Sequence, residues 1–248
     1  MPAGWPRYDL YVVTDPDLSG GRSHAEIARA ALEGGADAVQ LRDKSSPAIN
    51  LMRAAAEIQP MARKFGAAFL VNDRADVALV AEADGVHLGP GDLPLREARH
   101  LLPRPRIVGF SAGTVEEARR AQREGADYLG VGPVFRTSTK PDAGEPLGPE
   151  GLAKIVRAVS IPVVGIGGIT LENVAQVIGA GAAGAAVITA VVAAPDMAAA
   201  ARALKRRILD ARRASSGAAS PASGAASPAT GAASPPAGGA SPPAGSAP

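Results

Sequence analysis

Short apolar runs of β type recur along this chain, and each is followed by a stretch with helical spacing. The strand candidates are Tyr8–Thr14, Ala38–Arg42, Ala67–Asn72, Gly85–Leu88, Ile107–Ser111, Tyr128–Val131, Pro162–Ile166 and Ala185–Thr189. Alanine-rich segments such as His24–Glu33, Pro47–Phe65 and Val115–Arg123 lie between them. Thr114, with Glu117 three residues on, reads as a capping box opening the last of these. Strands separated by helices pair in parallel, because a parallel connection needs a crossover long enough to hold a helix. Eight such units predict an α/β fold, a single (β/α)8 TIM barrel.

A weak internal repeat agrees. Gly34-Gly-Ala-Asp37, Glu82-Ala-Asp84, Gly125-Ala-Asp127 and Gly181-Ala-Ala183 each end a helix and start a strand. Glycine supplies the left-handed cap there. These turns belong to the bottom of the barrel, so Asp37, Asp84 and Asp127 read as stability positions. With 248 residues, 46% hydrophobic and only 3% aromatic, the core must be built from Ala, Val, Leu and Ile. A net charge of +2 leaves no nucleic-acid footprint. No cysteine is present, which excludes disulfides, thiol catalysis and Cys-ligated metal sites and fits a reducing compartment. No apolar run reaches membrane-spanning length and no signal segment is evident, so the expectation is a cytoplasmic protein. The domain expectation is a catalytic barrel over 1–213 and a disordered tail over 214–248. That tail holds only Ala, Ser, Gly, Pro and Thr230, with nothing to bury against the cost of ordering. It reads as a tether or as a dispensable extension.

In such a barrel the chemistry collects at the carboxyl ends of the strands. The second junction offers Gln40, Leu41, Arg42, Asp43 and Lys44, and the third Asn72, Asp73 and Arg74. The fourth gives His87 and, past Leu88, Asp92; the fifth gives Ser111. The sixth runs from Gly130 and Gly132, which demand a close approach, to Thr137, Ser138, Thr139 and Lys140. The seventh offers Gly167 and Gly168, and the eighth Ile188 and Thr189. Carboxylates beside cations fit a magnesium-bound phosphate site, and the glycine-rich seventh loop fits a second phosphate cradle. Two phosphate-handling regions imply two phosphorylated substrates, or one long one. His87 reads as a hydrogen-bonded core or rim histidine ahead of a base. His24 and His100 lack metal-ligand spacing. Asp15 reads as an N-cap or turn residue. The cations Lys205, Arg206, Arg207, Arg212 and Arg213 close the last helix and read as a solvated face.

These residues fall within longer motifs: Tyr11-Val-Val-Thr-Asp15, Val39-Gln-Leu-Arg-Asp-Lys44, Val71-Asn-Asp-Arg74, Ala83-Asp-Gly-Val-His-Leu-Gly89, Asp92-Leu-Pro94, Asp127-Tyr-Leu-Gly-Val-Gly-Pro-Val-Phe135, Thr137-Ser-Thr-Lys140 and Gly165-Ile-Gly-Gly-Ile169. Through them the chain, from about Tyr8 to Ala211, closely resembles the thiamine-phosphate synthase family. The resemblance implies a transferase that joins hydroxymethylpyrimidine diphosphate to thiazole phosphate, releasing thiamine phosphate and pyrophosphate. It implies that Gln40, Arg42, Lys44, Asn72, Ser111 and Lys140 hold the pyrimidine diphosphate. Leu41 and Asp43 fall in that binding segment, and Ser138 in the next one. It implies Asp73 and Asp92 as magnesium ligands, with Arg42, Lys44, Lys140 and Ser111 serving the chemistry. Thr137, Thr139, the Gly167 and Gly168 amides, Ile188 and Thr189 would hold the thiazole phosphate. Three positions depart from the family: Asp43 for the commoner Glu, Thr189 for Ser, and Pro90-Gly91 for Gln-Glu before the metal aspartate. The last is expected to loosen its loop.

The mechanism so implied is dissociative: pyrophosphate leaves the pyrimidine methylene, and the thiazole nitrogen then attacks. No protein nucleophile is required, in keeping with the absence of cysteine and of a Ser-His-Asp arrangement. Three rivals are weaker. A thiazole tautomerase of the same superfamily needs an acid/base residue in place of the magnesium carboxylates. An imine-forming aldolase needs a neutral lysine, which neighbouring carboxylates disfavour. A silent phosphate-binding barrel has no use for Asp73 and Asp92.

Overall fold

The structure is a computed structural model, and it describes residues 8–137, 139 and 144–217. Eight strands form one closed parallel barrel in chain order. They are β1 Leu10–Val13, β2 Ala38–Leu41, β3 Ala68–Asn72, β4 Gly85–Leu88, β5 Ile107–Ala112, β6 Tyr128–Val131, β7 Val163–Ile166 and β8 Gly184–Val187. Closure is made by β1 against β8, with Leu10 beside Ala185 and Val12 beside Val187. Around the barrel run α1 His24–Glu33, α2 Ala48–Phe65, α3 Ala75–Val80, α4 Leu95–Leu101, α5 Val115–Arg123, α6 Gly148–Ala158, α7 Val174–Gly179, the single turn α8 Thr189–Val192 and α9 Met197–Gly217. Among the described residues no helix is long and apolar enough to cross a membrane. The capping box expected at Thr114 is present, with Glu117 bonded back to it.

Strand alternation divides the apolar side chains into two shells. Outward residues such as Val39, Leu41, Phe69 and Val71 pack under the helices. Inward residues form a separate cluster that includes Tyr8, Tyr11, Val13, Leu70, Tyr128 and Val164. All three tyrosines of the chain lie in this inner cluster. Glycines make room for them: a Cβ on Gly109 would meet the Tyr128 ring at 2.2 Å, and one on Gly130 would meet His87 Cε1 at 2.9 Å. The close approach expected at Gly130 is therefore made by a side chain of the protein itself. At Gly132 it is made by the Ile166 carbonyl of β7, 2.1 Å from a Cβ placed there.

The bottom of the barrel carries a repeated clamp. Asp37, Asp84 and Asp127 each donate a backbone N–H to the carbonyl of Leu10, Phe69 and Val108, at 2.9, 2.9 and 2.8 Å. Each carboxylate accepts in return from the N–H of that same residue, at 2.9, 2.7 and 2.8 Å. Leu10 opens β1, and Phe69 and Val108 are the second residues of β3 and β5; at each the aspartate provides the acceptor that the strand N–H needs. The cationic end of α9 is not the solvated face expected. Lys205 pairs with Asp9 and Asp37, and Arg212 pairs with Asp9 at 2.7 Å, because α9 lies across the start of β1. Arg206 and Arg207 are exposed as expected. Strand β8 ends at Val187, two residues short of expectation, because Ile188 leaves extended geometry and starts α8. The last helix runs to Gly217, past the expected boundary at 213. The expectation for the tail falls on residues 218–248, outside the described residues.

Candidate active site

The strand ends open into one cavity of about 550 Å³ at the carboxyl face. Gln40, Arg42 and Lys44 enter it from the end of β2, and Asn72 and Asp73 from β3. Asp92 comes from the loop after β4, and Ser111 from β5. Thr137 and Thr139 lie on the loop after β6, where the Thr139 N–H donates to Thr137 Oγ1 at 3.2 Å. Gly167 and Gly168 follow β7, and Ile188 and Thr189 follow β8. Lys140 and Ser138 lie outside the described residues.

The side chains of two expected substrate residues do not line the cavity. Leu41 is fully buried in the outer shell, because its place in the β2 alternation turns it towards the helices. The Asp43 carboxylate turns away from the cavity, accepting from the Ser45 and Ser46 N–H groups at 2.9 Å and facing His24 Nε2 at 3.5 Å. Burial pushes its carboxyl up, but hydrogen bonds from Ser46 and Ser45 outweigh that and hold it far below the usual carboxylate range. Asp43 thus shapes the loop that carries Lys44. Asp15 is more than the expected turn residue. It accepts from Leu18 N–H at 3.3 Å and also holds Arg42 Nη1 at 3.1 Å.

Asp73 sits at φ 62°, in the left-handed region that short polar side chains tolerate better than most. Two short backbone bonds fix it there, Asp73 N–H to the His87 carbonyl at 2.8 Å and Arg74 N–H to the Asn72 carbonyl at 2.7 Å. Burial and the adjoining Asp92 carboxyl push Asp73 up, while Lys44, 3.4 Å away, pulls it down. Two carboxyls so placed repel each other unless a proton or a cation stands between them. The turn holding Pro90-Gly91 is closed by two hydrogen bonds between Gly89 and Asp92. Asp92 N–H donates to the Gly89 carbonyl at 3.2 Å, and its carboxylate accepts from Gly89 N–H at 2.7 Å.

Sequence reasoning did not single out Tyr11 and Tyr128, and both line the cavity floor together with His87. A run of hydrogen bonds crosses the barrel there. Gln40 Nε2 donates to Tyr11 Oη at 2.7 Å, Tyr11 Oη meets Tyr128 Oη at 3.0 Å, Tyr128 Oη meets His87 Nδ1 at 2.8 Å, and His87 Nε2 meets Ser111 Oγ at 3.0 Å. His87 is thus hydrogen-bonded at both ring nitrogens, as the reading of a bonded core or rim histidine expected. Inward parity on β1 and β6 was the available signal for the tyrosines.

The thiamine monophosphate synthase family profile matches residues 10–191. A curated thiamine-phosphate synthase of Moorella thermoacetica is 54% identical over 207 residues, covering 84% of this chain and 99% of the relative. One from Methanoregula boonei is 56% identical over 206 residues, covering 83% and 95%. The solved thiamine phosphate pyrophosphorylase of Pyrococcus furiosus superposes with a TM-score of 0.77 at 43% identity, covering 82% of this chain and 96% of that one. With a closed eight-stranded barrel and this similarity over four-fifths of its length, the chain belongs to the thiamine monophosphate synthase family.

Proposed function

We propose that the mouth divides into a diphosphate half on the ends of β2 to β5 and a phosphate half on the ends of β6 to β8. Family membership makes the chain a transferase. It condenses 4-amino-5-hydroxymethyl-2-methylpyrimidine diphosphate with 4-methyl-5-(2-hydroxyethyl)thiazole phosphate, giving thiamine phosphate and pyrophosphate. The observation that carries the division is the pairing of Asp73 with Asp92 beside Lys44, across one cavity from Thr137, Thr139, Gly167 and Gly168.

The crowded carboxyls fit a hard divalent cation, and magnesium is the reading. Among the described residues no group of three or more Asp, Glu or His gathers. Two protein carboxylates with diphosphate and water oxygens completing the shell is the usual manner of binding magnesium beside phosphates. When bound, the ion supplies positive charge to the departing pyrophosphate. Arg42, steadied by Asp15, and Lys44 bind the same oxygens and hold the diphosphate in line for departure. Lys140 joins them on the strength of the family motif. Gln40, Asn72 and Ser111 orient the pyrimidine. Thr137, Thr139, the Gly167 and Gly168 amides, Ile188 and Thr189 hold the thiazole phosphate, so that the ring nitrogen faces the methylene. The methylene C–O bond breaks with its electron pair leaving on pyrophosphate, and the nitrogen lone pair forms the new C–N bond. The apolar inner wall of Val13, Val164 and Ile166 limits water that would otherwise capture the pyrimidine methylene.

Asp92→Asn and Asp73→Asn are the test, read as pyrophosphate release with both substrates and magnesium present. Each should lower kcat by at least ~100-fold, about 2.7 kcal/mol, with Tm retained. Near-normal turnover at saturating magnesium would refute the metal assignment. In the same assay Thr139→Ala should raise KM for the thiazole phosphate more than for the pyrimidine diphosphate.

A further inference from the structure

We infer that His87 and Tyr128 are positioning residues that fix the Ser111 hydroxyl as a hydrogen-bond donor into the cavity, through a one-way chain of hydrogen bonds beginning at Gln40. The inference rests on the reading of Ser111 as a pyrimidine contact given above.

The direction follows from counting protons. Gln40 Nε2 donates to Tyr11 Oη at 2.7 Å. Each phenol has one proton to give. That of Tyr11 goes to Tyr128 Oη, 3.0 Å away, and that of Tyr128 to His87 Nδ1, 2.8 Å away. Nδ1 must then be an acceptor, so a neutral His87 carries its proton on Nε2 and donates to Ser111 Oγ at 3.0 Å. Ser111 lines the cavity, and its own proton is left for whatever binds there. At the other end Gln40 keeps its carbonyl oxygen as an acceptor.

The protonation states agree. Burial raises both phenols, so they stay neutral, and it lowers His87 to about 4. An imidazolium would have to donate to Tyr128, and one of the two phenol protons would then be left without an acceptor. The chain is also held in place. Tyr128 packs at a tilt against Tyr8 with ring centroids 4.9 Å apart, and Gly130 lies so close under the His87 ring that a Cβ would meet Cε1 at 2.9 Å. The opposite polarity would turn the Gln40 amide over and make Ser111 donate inward. It would then present only a lone pair to substrates rich in acceptor oxygens and ring nitrogens. Hydrogen bonds aligned head to tail also strengthen one another in a site of low dielectric.

Two measurements decide the matter. Long-range ¹H–¹⁵N spectra of the wild-type protein at neutral pH should show His87 as the neutral Nε2–H tautomer. Its signal is identified among three histidines by its loss in His87→Gln. Steady-state kinetics of Tyr128→Phe, Ser111→Ala and the double variant form a cycle. Tyr128→Phe should lower kcat/KM for the pyrimidine diphosphate about tenfold, roughly one neutral hydrogen bond, and leave KM for the thiazole phosphate unchanged. It should cost nothing further once Ser111 is alanine. Additive losses, or an Nδ1–H tautomer in the wild type, overturn the inference. If wild-type protein releases no pyrophosphate from the two substrates, the family reaction is what fails, and the tautomer still decides the chain. The same spectrum decides it if Tyr128→Phe does not fold.

Discussion

Burial holds the His87 imidazole at about 4, against an ordinary value of 6.5. The unfolded chain takes up this proton as pH falls below about 6.5, while the folded protein refuses it until near 4. The stability tied to neutral His87 is therefore complete above about pH 6.5 and is lost as pH falls towards 4, by up to about 3 kcal/mol. Wild-type Tm should fall more steeply across that window than the Tm of His87→Gln. Parallel profiles would mean that the ring is not kept neutral. Single residues were legible from the chain in uneven measure. The alternation of β4 turned His87 into the cavity, and the run around Lys44 gathered the cations. Pairings across sequence distance were not legible. Tyr128 is 41 residues from His87, and Asp15 is 27 from Arg42. Only closure of the barrel brings such partners together.

At the scale of elements, strand and helix periods show directly in the sequence because burial imposes them. Strands β4 and β6 and helices α1 and α5 fall on their expected spans. The misreading of α9 has a physical source. A cationic run at a helix end looks solvated unless one knows what the helix crosses. Lys205 reaches under β1 to two carboxylates, one of them 3% exposed. Removing one partner of a half-buried ion pair leaves charge without compensation, although Arg212 still holds Asp9. Lys205→Ala should destabilise by about 2 kcal/mol, a Tm drop of about 6 °C, whereas Arg206→Ala should stay within about 0.5 kcal/mol. Equal effects in thermal melts would show that α9 contributes through its apolar face alone.

At the scale of the whole molecule, the clamps under the barrel form a broken fourfold pattern. The strands pair two by two as β1 with β2, β3 with β4, and β5 with β6, each pair stapled by one aspartate. In the fourth quarter Ala183 makes the same backbone bond to the Val163 carbonyl, at 2.7 Å, but has no carboxylate to return. Arg212 already donates to the Ala183 carbonyl at 2.8 Å, so a cation stands beside the missing group. Ala183→Asp should complete the symmetry and raise Tm by about 3 °C, near 1 kcal/mol, with kcat untouched because the change lies at the end of the barrel away from the mouth. A neutral or lower Tm would show that the quarters are not interchangeable. The base thus behaves as four copies of one joint, one of them lacking its carboxylate, and the expected gain comes from extending the protein's own rule.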